Sequence, residues 1–335
     1  MASSTSARRP SRASPVASPA DRTAGTPLIS VVIPSFNRER LLRQSLRSIE
    51  AQDLAPTKFE VIVVVDGSTD RSAAMLSNLA TAFRLTPLAQ PNAGAGAARN
   101  RGVAAAAARY CLFVDDDITL APGALAAHLA AQQRLGGAVC VGPIDTVSSR
   151  RGFPAYYVGF WKRWLQRRER GTPLAFNECF SGNMSVPTEA FLALGGFDTS
   201  LRRDEDIELA YRLNLAGLPL VYVETATARQ HFDKTTRECL GDATANGAAE
   251  LELLARYPGM RDAFGVSRAV AKPGLYARLV WLVVRLPVPI MACSAVGVLS
   301  PRIPGVRRLF RTMHTYWYFR GARTSAHWDA FRREG

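Results

Sequence analysis

Three observations in the sequence predict an α/β protein built on a mostly parallel sheet flanked by helices. Short apolar runs rich in β-branched residues, Leu28–Pro34 (LISVVIP), Phe59–Val65 (FEVIVVV) and Tyr110–Val114, read as strands buried on both faces. Amphipathic stretches of helical period lie between them. Polar turns follow their carboxyl ends, where open sheets of this class bind ligands. The chain as far as Val114, with strands alternating with helices, is therefore expected to form one nucleotide-binding half.

The elements follow in order. After Ser35-Phe36-Asn37, the segment Arg38–Gln52 sets Leu41, Leu42, Leu46 and Ile49 on one side and arginines on the other, so a helix covers the sheet. The second strand ends in Asp66-Gly67-Ser68-Thr69-Asp70, where Thr69 or Asp70 can cap a helix expected to reach about Phe83. Asn92-Ala93-Gly94-Ala95-Gly96 leads into an alanine-rich helix, Ala97–Arg109, with Arg99 and Arg101 near its start. Glycines there permit close backbone approach, and an arginine at a helix start can reach phosphate oxygens. A helix Ala121–Leu135 and a strand Ala138–Ile144 come next. Regular alternation then lapses. Phe153–Trp164 suits a packed loop, a sugar platform or a membrane edge, and Arg167, Arg168 and Arg170 follow it. Phe180–Val186 reads as a strand carrying small polar residues, Gly195–Asp198 as a turn, and Asp204-Glu205-Asp206 as the opening of a helix that stops at Gly217. The strand Pro219–Val223 precedes Gln230-His231-Phe232.

Two acidic clusters carry the chemistry. In an extended segment Asp115 and Asp117 share a face and Asp116 points away, a D-x-D geometry. Carboxylates so close repel unless a cation sits between them, and a hard divalent ion that also grips a diphosphate does this well. The simpler alternative is a turn that caps the next helix. In the second cluster one carboxylate suffices as a cap, which leaves Glu205 and Asp206 without a structural task. An inverting group transfer needs a carboxylate opposite the leaving group. His231 is a candidate third metal ligand.

Composition bounds the rest. The 335 residues carry 42 Lys and Arg against 28 Asp and Glu, a formal charge of +14 that implies an anionic partner. Five scattered cysteines without C-x-x-C spacing argue against a disulfide framework or zinc site and fit a reducing compartment. Met1–Thr26 is rich in Ser, Ala, Pro and Arg, a tail that cannot bury enough to order itself, with an organelle transit peptide as the alternative.

The series VVIPSFNR, VIVVVDGSTD, NAGAGAARNRG, FVDDD, FSGNMSV, GGFD and DEDIELAYRL resembles, in order and spacing, the inverting family 2 glycosyltransferases of the GT-A fold. The resemblance spans about Leu28–Phe232 and implies a Rossmann-like nucleotide-binding domain that uses a nucleotide-sugar donor, most commonly of uridine diphosphate. It implies that Pro34, Ser35, Asn37 and Asp66 cradle the nucleoside, that Arg99 lies near base and phosphate, and that Asp115 and Asp117 handle ribose and metal. Gly182 and Asn183 match the donor-sugar and acceptor strand, and Glu205 and Asp206 the pair that includes the base. Mg2+ or Mn2+, bound mainly by Asp117 with Asp115 and His231, is the expected cofactor, and Asp206 the expected base.

Three segments are expected: a tail 1–26, a GT-A domain 27–257, and a helical, basic, membrane-associated extension 258–335. Leu279–Leu299 approaches spanning length, but Arg285, Pro287 and Pro289 interrupt it, which favours segments lying on the membrane with Arg302, Arg307, Arg308 and Arg311 at the headgroups. Tyr316–Arg320 repeats this aromatic and basic composition. The expected location is cytoplasmic, at the inner face of the cell membrane, with a glycan or lipid-linked acceptor and no nucleic-acid partner. Two rivals are weighed. A nucleotidyltransferase would follow its first strand with a glycine-rich triphosphate loop, and Pro34-Ser35-Phe36-Asn37 has no glycine. A non-catalytic binder of membranes or polyanions explains the charge but not two acidic clusters at element ends.

Overall fold

The computed structural model describes residues 25–166, 174–267, 282–286 and 288–334. Strands β1 (Ile29–Ser35), β2 (Phe59–Asp66), β3 (Arg84–Gln90) and β4 (Tyr110–Val114) are mutually parallel, in the spatial order β3-β2-β1-β4. β8 (Asn183–Pro187) runs antiparallel between β4 and β6 (Val139–Val141), and β9 (Leu220–Tyr222) closes the seven-stranded sheet. Strand order reverses between β1 and β4. A crevice opens at their carboxyl ends, at Ser35 and Asp115.

Alternate residues of the central strands enter opposite cores, as strand geometry requires. Val31, Ile33, Val61 and Val63 pack with Leu42, Leu46 and Ile49 of α1 (Glu39–Glu50). Val32, Ile62, Val64 and Phe113 pack on the other face with α3 (Ala95–Ala104), α6 (Thr188–Ala193) and α7 (Glu205–Leu215). The Phe113 ring lies 5.4 Å from Phe191 and 5.1 Å from Phe197, which ties the strand before the Asp triplet to the turn before α7.

A small second sheet sets β10 (Ala228–Phe232) between β5 (Ile118–Leu120), antiparallel, and β7 (Ile144–Ser148), parallel. It carries Gln230 and His231 back beside the Asp triplet.

Several elements depart from the sequence expectation. The helix expected to reach Phe83 ends early, as α2 (Ser72–Ser77), and Arg84–Gln90 is the edge strand β3. Its run RLTPLAQ is half exposed and holds Pro87, a residue that sheets tolerate at an edge. The helix of Ala97–Arg109 is shifted forward to α3, and that of Ala121–Leu135 starts at Ala124 as α4 (Ala124–Leu135), after β5. The single strand Ala138–Ile144 divides into β6 and β7, in different sheets, at Gly142-Pro143. A Cβ on Gly142 would stand 2.1 Å from the Ala226 carbonyl oxygen, so the chain passes there only without a side chain. Phe153–Trp164 is no loop but part of α5 (Phe153–Gln166). Its Phe153, Tyr156 and Tyr157 are buried in a cluster with Cys239, Phe310 and Met313, and that burial overrides the modest helix propensity of aromatics.

α8 (Thr236–Arg256) opens with a capping box between Thr235 and Glu238. It packs tightly on α10 (Val306–Thr324) through paired glycines: a Cβ on Gly321 would stand 1.8 Å from Thr244 O, and one on Gly247 2.0 Å from Tyr318 O. Leu251, Leu254, Met260, Ala322 and Phe331 join Leu201 and Ile207 in one cluster, so this helical layer is continuous with the base of α7. α9 (Ile290–Val296) and α11 (Trp328–Glu334) complete it. Among the described residues, no helix is long and apolar enough to cross a membrane. Most of the N-terminal tail, Arg167, Arg168, Arg170 and, within Leu279–Leu299, residues 279–281 and 287 lie outside the described residues.

Behind the sheet, His128 of α4 is fully buried, with Nδ1 3.0 Å from Ser185 Oγ and Nε2 3.0 Å from Asn183 Oδ1. Burial pulls its imidazole down to about 4. An unfolded chain titrates near ~6.5, so it takes up the proton first, and the His128 contribution is intact above that pH and lost as pH falls toward the folded value. His128→Gln, which keeps an amide but has no titrating ring, should therefore gain stability relative to wild type on acidification, by on the order of 3 kcal/mol. Urea unfolding at neutral pH and near pH ~4.5 checks this window; a constant gap between the two proteins would contradict it.

Candidate active site

The ends of β1 and β2 are stapled by side chains. Asn37, in the left-handed region at φ 54°, accepts from Thr69 N at 2.8 Å, and its own N–H donates to Ser68 Oγ at 3.0 Å. Asp66, buried at the end of β2, accepts from Ala93 N at 2.9 Å, Gly94 N at 2.8 Å and Gln90 Nε2 at 2.8 Å. These bonds fix the Asn92–Gly96 turn, so that α3 begins at Ala95 and presents Arg99 one turn later. Pro34 and Ser35 are buried at the end of β1.

Arg99 is the junction. Its Nη2 donates to Asp115 Oδ1 at 2.7 Å and its Nη1 to Glu205 Oε1 at 2.9 Å, with the Phe197 ring 5.4 Å from the guanidinium carbon. Only 4% of the residue is exposed. Asp206, next to Glu205, accepts through Oδ2 from Ser181 N at 2.9 Å and Ser181 Oγ at 3.2 Å, and through Oδ1 from Ile207 N at 2.9 Å. Gly182 closes the floor: a Cβ there would lie 2.8 Å from Ile118 Cδ1 and 3.2 Å from Asp115 Oδ2. Asp115, Gly182, Glu205 and Asp206 thus line one cavity of about 1300 Å3, large enough for a nucleotide sugar.

The Asp triplet does not run as an extended segment. Ile118 N donates to Asp115 O at 3.0 Å, which makes a turn, so the alternation that would set Asp115 and Asp117 side by side does not apply. Asp115 faces Arg99. Asp116 and Asp117 share Arg38 instead, at 3.0 and 2.9 Å, and Gln230 Nε2 adds a contact to Asp117 Oδ1 at 3.3 Å. His231 meets this group through its backbone N–H, which donates to Asp117 O at 2.8 Å, whereas its Nε2 lies 3.3 Å from Thr119 Oγ1. Asn183 is turned behind the sheet, where its amide bonds His128 and donates to Ala226 O at 2.7 Å.

Burial dominates the electrostatics. It raises Asp117 to about 6, with Asp115 adding to the rise and Arg38 opposing it. Burial also lifts Glu205 and Asp206, which Arg99 counters, and holds the Asp204 carboxyl well above the usual range beside Glu250. Asp115 and Asp117 stand in separate ion pairs, with Arg99 and with Arg38, and only Asp115 of the two lines the cavity. No group of three or more His, Cys, Asp or Glu able to hold a metal occurs among the described residues.

Arg38, Ser181 and Gln230 were not singled out from the sequence. Arg38 and Ser181 do stand inside the motifs VVIPSFNR and FSGNMSV, and Gln230 beside His231, but nothing local shows that they reach residues 78, 25 and 113 positions away.

Residues 30–192 match the model of glycosyl transferase family 2. The chain is 31% identical over 228 residues to validoxylamine A glucosyltransferase of Streptomyces hygroscopicus subsp. limoneus, covering 59% of this chain and 50% of that protein. It spans about half the length of the curated relatives it matches first. The mannosyltransferase PcManGT of Pyrobaculum calidifontis, in complex with GDP-Man and Mn2+, superposes with a TM-score of 0.61 at 18% identity over 91% of this chain and 88% of that one. Staphylococcus aureus TarS 1-349 with UDP-GlcNAc gives 0.52 at 17% identity, over 92% of each chain. At such identities the two structures speak for the fold alone.

Arg99→Met should destabilise the protein by ~3 kcal/mol, because it leaves buried carboxylates without their cation. The deficit should shrink below neutral pH, where Glu205, freed of Arg99, takes up a proton in the folded state first. Denaturant unfolding across that range checks both parts, and wild-type stability in the variant would contradict them.

Proposed function

From the match of residues 30–192 to the glycosyl transferase family 2 model and from the GT-A fold, we propose that the chain is a metal-dependent inverting glycosyltransferase of that family. It moves a sugar from a nucleotide-diphosphate sugar, in the first instance a UDP-sugar, to a hydroxyl of a glycan, lipid-linked or cell-envelope acceptor. One observation carries this reading: Arg99 draws Asp115 of the first acidic cluster and Glu205 of the second onto a single cavity. The nucleotide sugars named with TarS and PcManGT support the donor class.

Each residue then has a task. Asp66 and Asn37 hold the loops at the nucleoside end of the crevice. Asp117, with Asp115, would hold Mg2+ or Mn2+, which when bound supplies positive charge against the departing diphosphate. His231 joins that set only if its ring leaves Thr119. Gly182 keeps the floor clear beside Asp115. Asp206 takes the proton of the acceptor hydroxyl as that oxygen attacks the anomeric carbon from the face opposite the leaving group. Ser181 fixes its orientation, and burial makes it a stronger base than an exposed carboxylate. A single in-line displacement inverts the anomeric carbon.

A peripheral position at the inner face of the cell membrane is part of the same proposal. Leu282, Leu286, Met291 and Val298 are exposed in the C-terminal layer together with Arg302, Arg307 and Arg308. The full chain should sediment with phosphatidylglycerol vesicles and not with phosphatidylcholine vesicles; absence from both pellets would refute the membrane part. For the chemistry, Asp206→Asn should lower transfer ~100-fold or more while calorimetric binding of the donor with Mn2+ stays near wild type. A panel of nucleotide sugars, assayed for metal-dependent hydrolysis by the wild type, identifies the donor for that comparison. Unchanged turnover in the variant would rule out Asp206 as base.

A further inference from the structure

The cation that the acidic triplet calls for is, at Asp117, an arginine side chain. Arg38 Nη1 lies 2.9 Å from Asp117 Oδ2 and 3.0 Å from Asp116 Oδ1, and the other Asp117 oxygen accepts from Gln230 Nε2 at 3.3 Å. Both oxygens of Asp117 are thus covered by side-chain donors, and only 9% of that side chain is exposed. The Gln230 contact is long and therefore weak, so the arginine makes the strong one. A metal ion that binds Asp117 has to take the place of that guanidinium.

The two arginines of the site differ in how firmly they are held. Arg99 has 5% of its side chain exposed, bonds Asp115 and Glu205 through separate nitrogens and lies against the Phe197 ring. Arg38 has 39% of its side chain exposed, so its guanidinium can turn out to water. Its backbone cannot follow, because Asn37 N and Glu39 N on either side donate to Ser68 Oγ at 3.0 Å and to Asp70 Oδ2 at 2.9 Å. Charge favours an exchange: one guanidinium leaves two adjacent carboxylates with an unbalanced negative charge, whereas a divalent ion matches both. We infer that Arg38 is a displaceable counter-ion that competes with the divalent metal for Asp117, so that metal enters only as the arginine turns outward. The inference rests on the metal-dependent transferase reading above and adds to it a residue that controls metal entry.

The test titrates Mn2+ into the full chain without nucleotide, by calorimetry, in wild type, Arg38→Gln and Arg38→Lys. Arg38→Gln should bind Mn2+ roughly tenfold tighter than wild type, the weight of one charge-assisted hydrogen bond removed from the competition. Arg38→Lys keeps a charge without the guanidinium fork and should gain less, and it decides the question if the glutamine variant fails to fold. Adding Asp117→Asn to Arg38→Lys should cancel the gain. Arg40→Gln removes an equal charge from an exposed position nearby and should leave Mn2+ affinity within about twofold of wild type, because such a charge is screened. Equal Mn2+ affinity in wild type and both Arg38 variants, or an equal gain in Arg40→Gln, overturns the inference; UDP binding with Mn2+ retained in that case leaves the transferase reading standing. Tighter Mn2+ in the Arg38 variants, with no UDP binding by wild type, overturns the transferase reading instead.

Discussion

The site depends on one buried cation, Arg99. Three carboxylates, Asp115, Glu205 and Asp206, converge where burial already lifts Glu205 and Asp206 toward protonation. Without a fixed positive charge among them the pocket would be unfavourable in its ionised form. A guanidinium can bond two carboxylates at once through separate nitrogens, which a lysine ammonium does with far less geometric control. The contact spans 16 residues to one partner and 106 to the other, so the bridge also fixes how the nucleotide half meets α7.

The surrounding fold supports that placement. Asp66 pins the turn from which α3 starts, and Phe197, next to the α7 cluster, lies against both Phe113 and the Arg99 guanidinium. Arg38 repeats the device on Asp116 and Asp117. A chain of formal charge +14 therefore places two of its arginines on an acidic centre. Of these five carboxylates Asp206 alone is held by neutral hydrogen-bond donors, without a direct ionic partner among the described residues.

What the sequence revealed follows from how local each signal is. β1, β2 and β4 are fully buried β-branched runs, and a buried parallel strand must look like that. β3 escaped notice because an edge strand needs only one paired side and can carry Pro87 and polar residues. α5 looked irregular because its aromatics are spaced for burial against α10, an element 150 residues further on whose position no local pattern reports. Both acidic clusters were legible as unusual charge, but their internal geometry was not. The turn at Asp115 regroups the triplet, and Asn183 lies behind the sheet because β8 directs alternate side chains to opposite faces.

The central claim, that the two acidic clusters serve one nucleotide-sugar pocket joined through Arg99, is tested most directly by the crystal structure of the chain grown with UDP and Mn2+. The account predicts the diphosphate inside the cavity, with its metal on the Asp115–Asp117 side and Asp206 facing the open space beyond the β-phosphate. UDP seated on a surface that includes neither Arg99 nor Asp115 would contradict it.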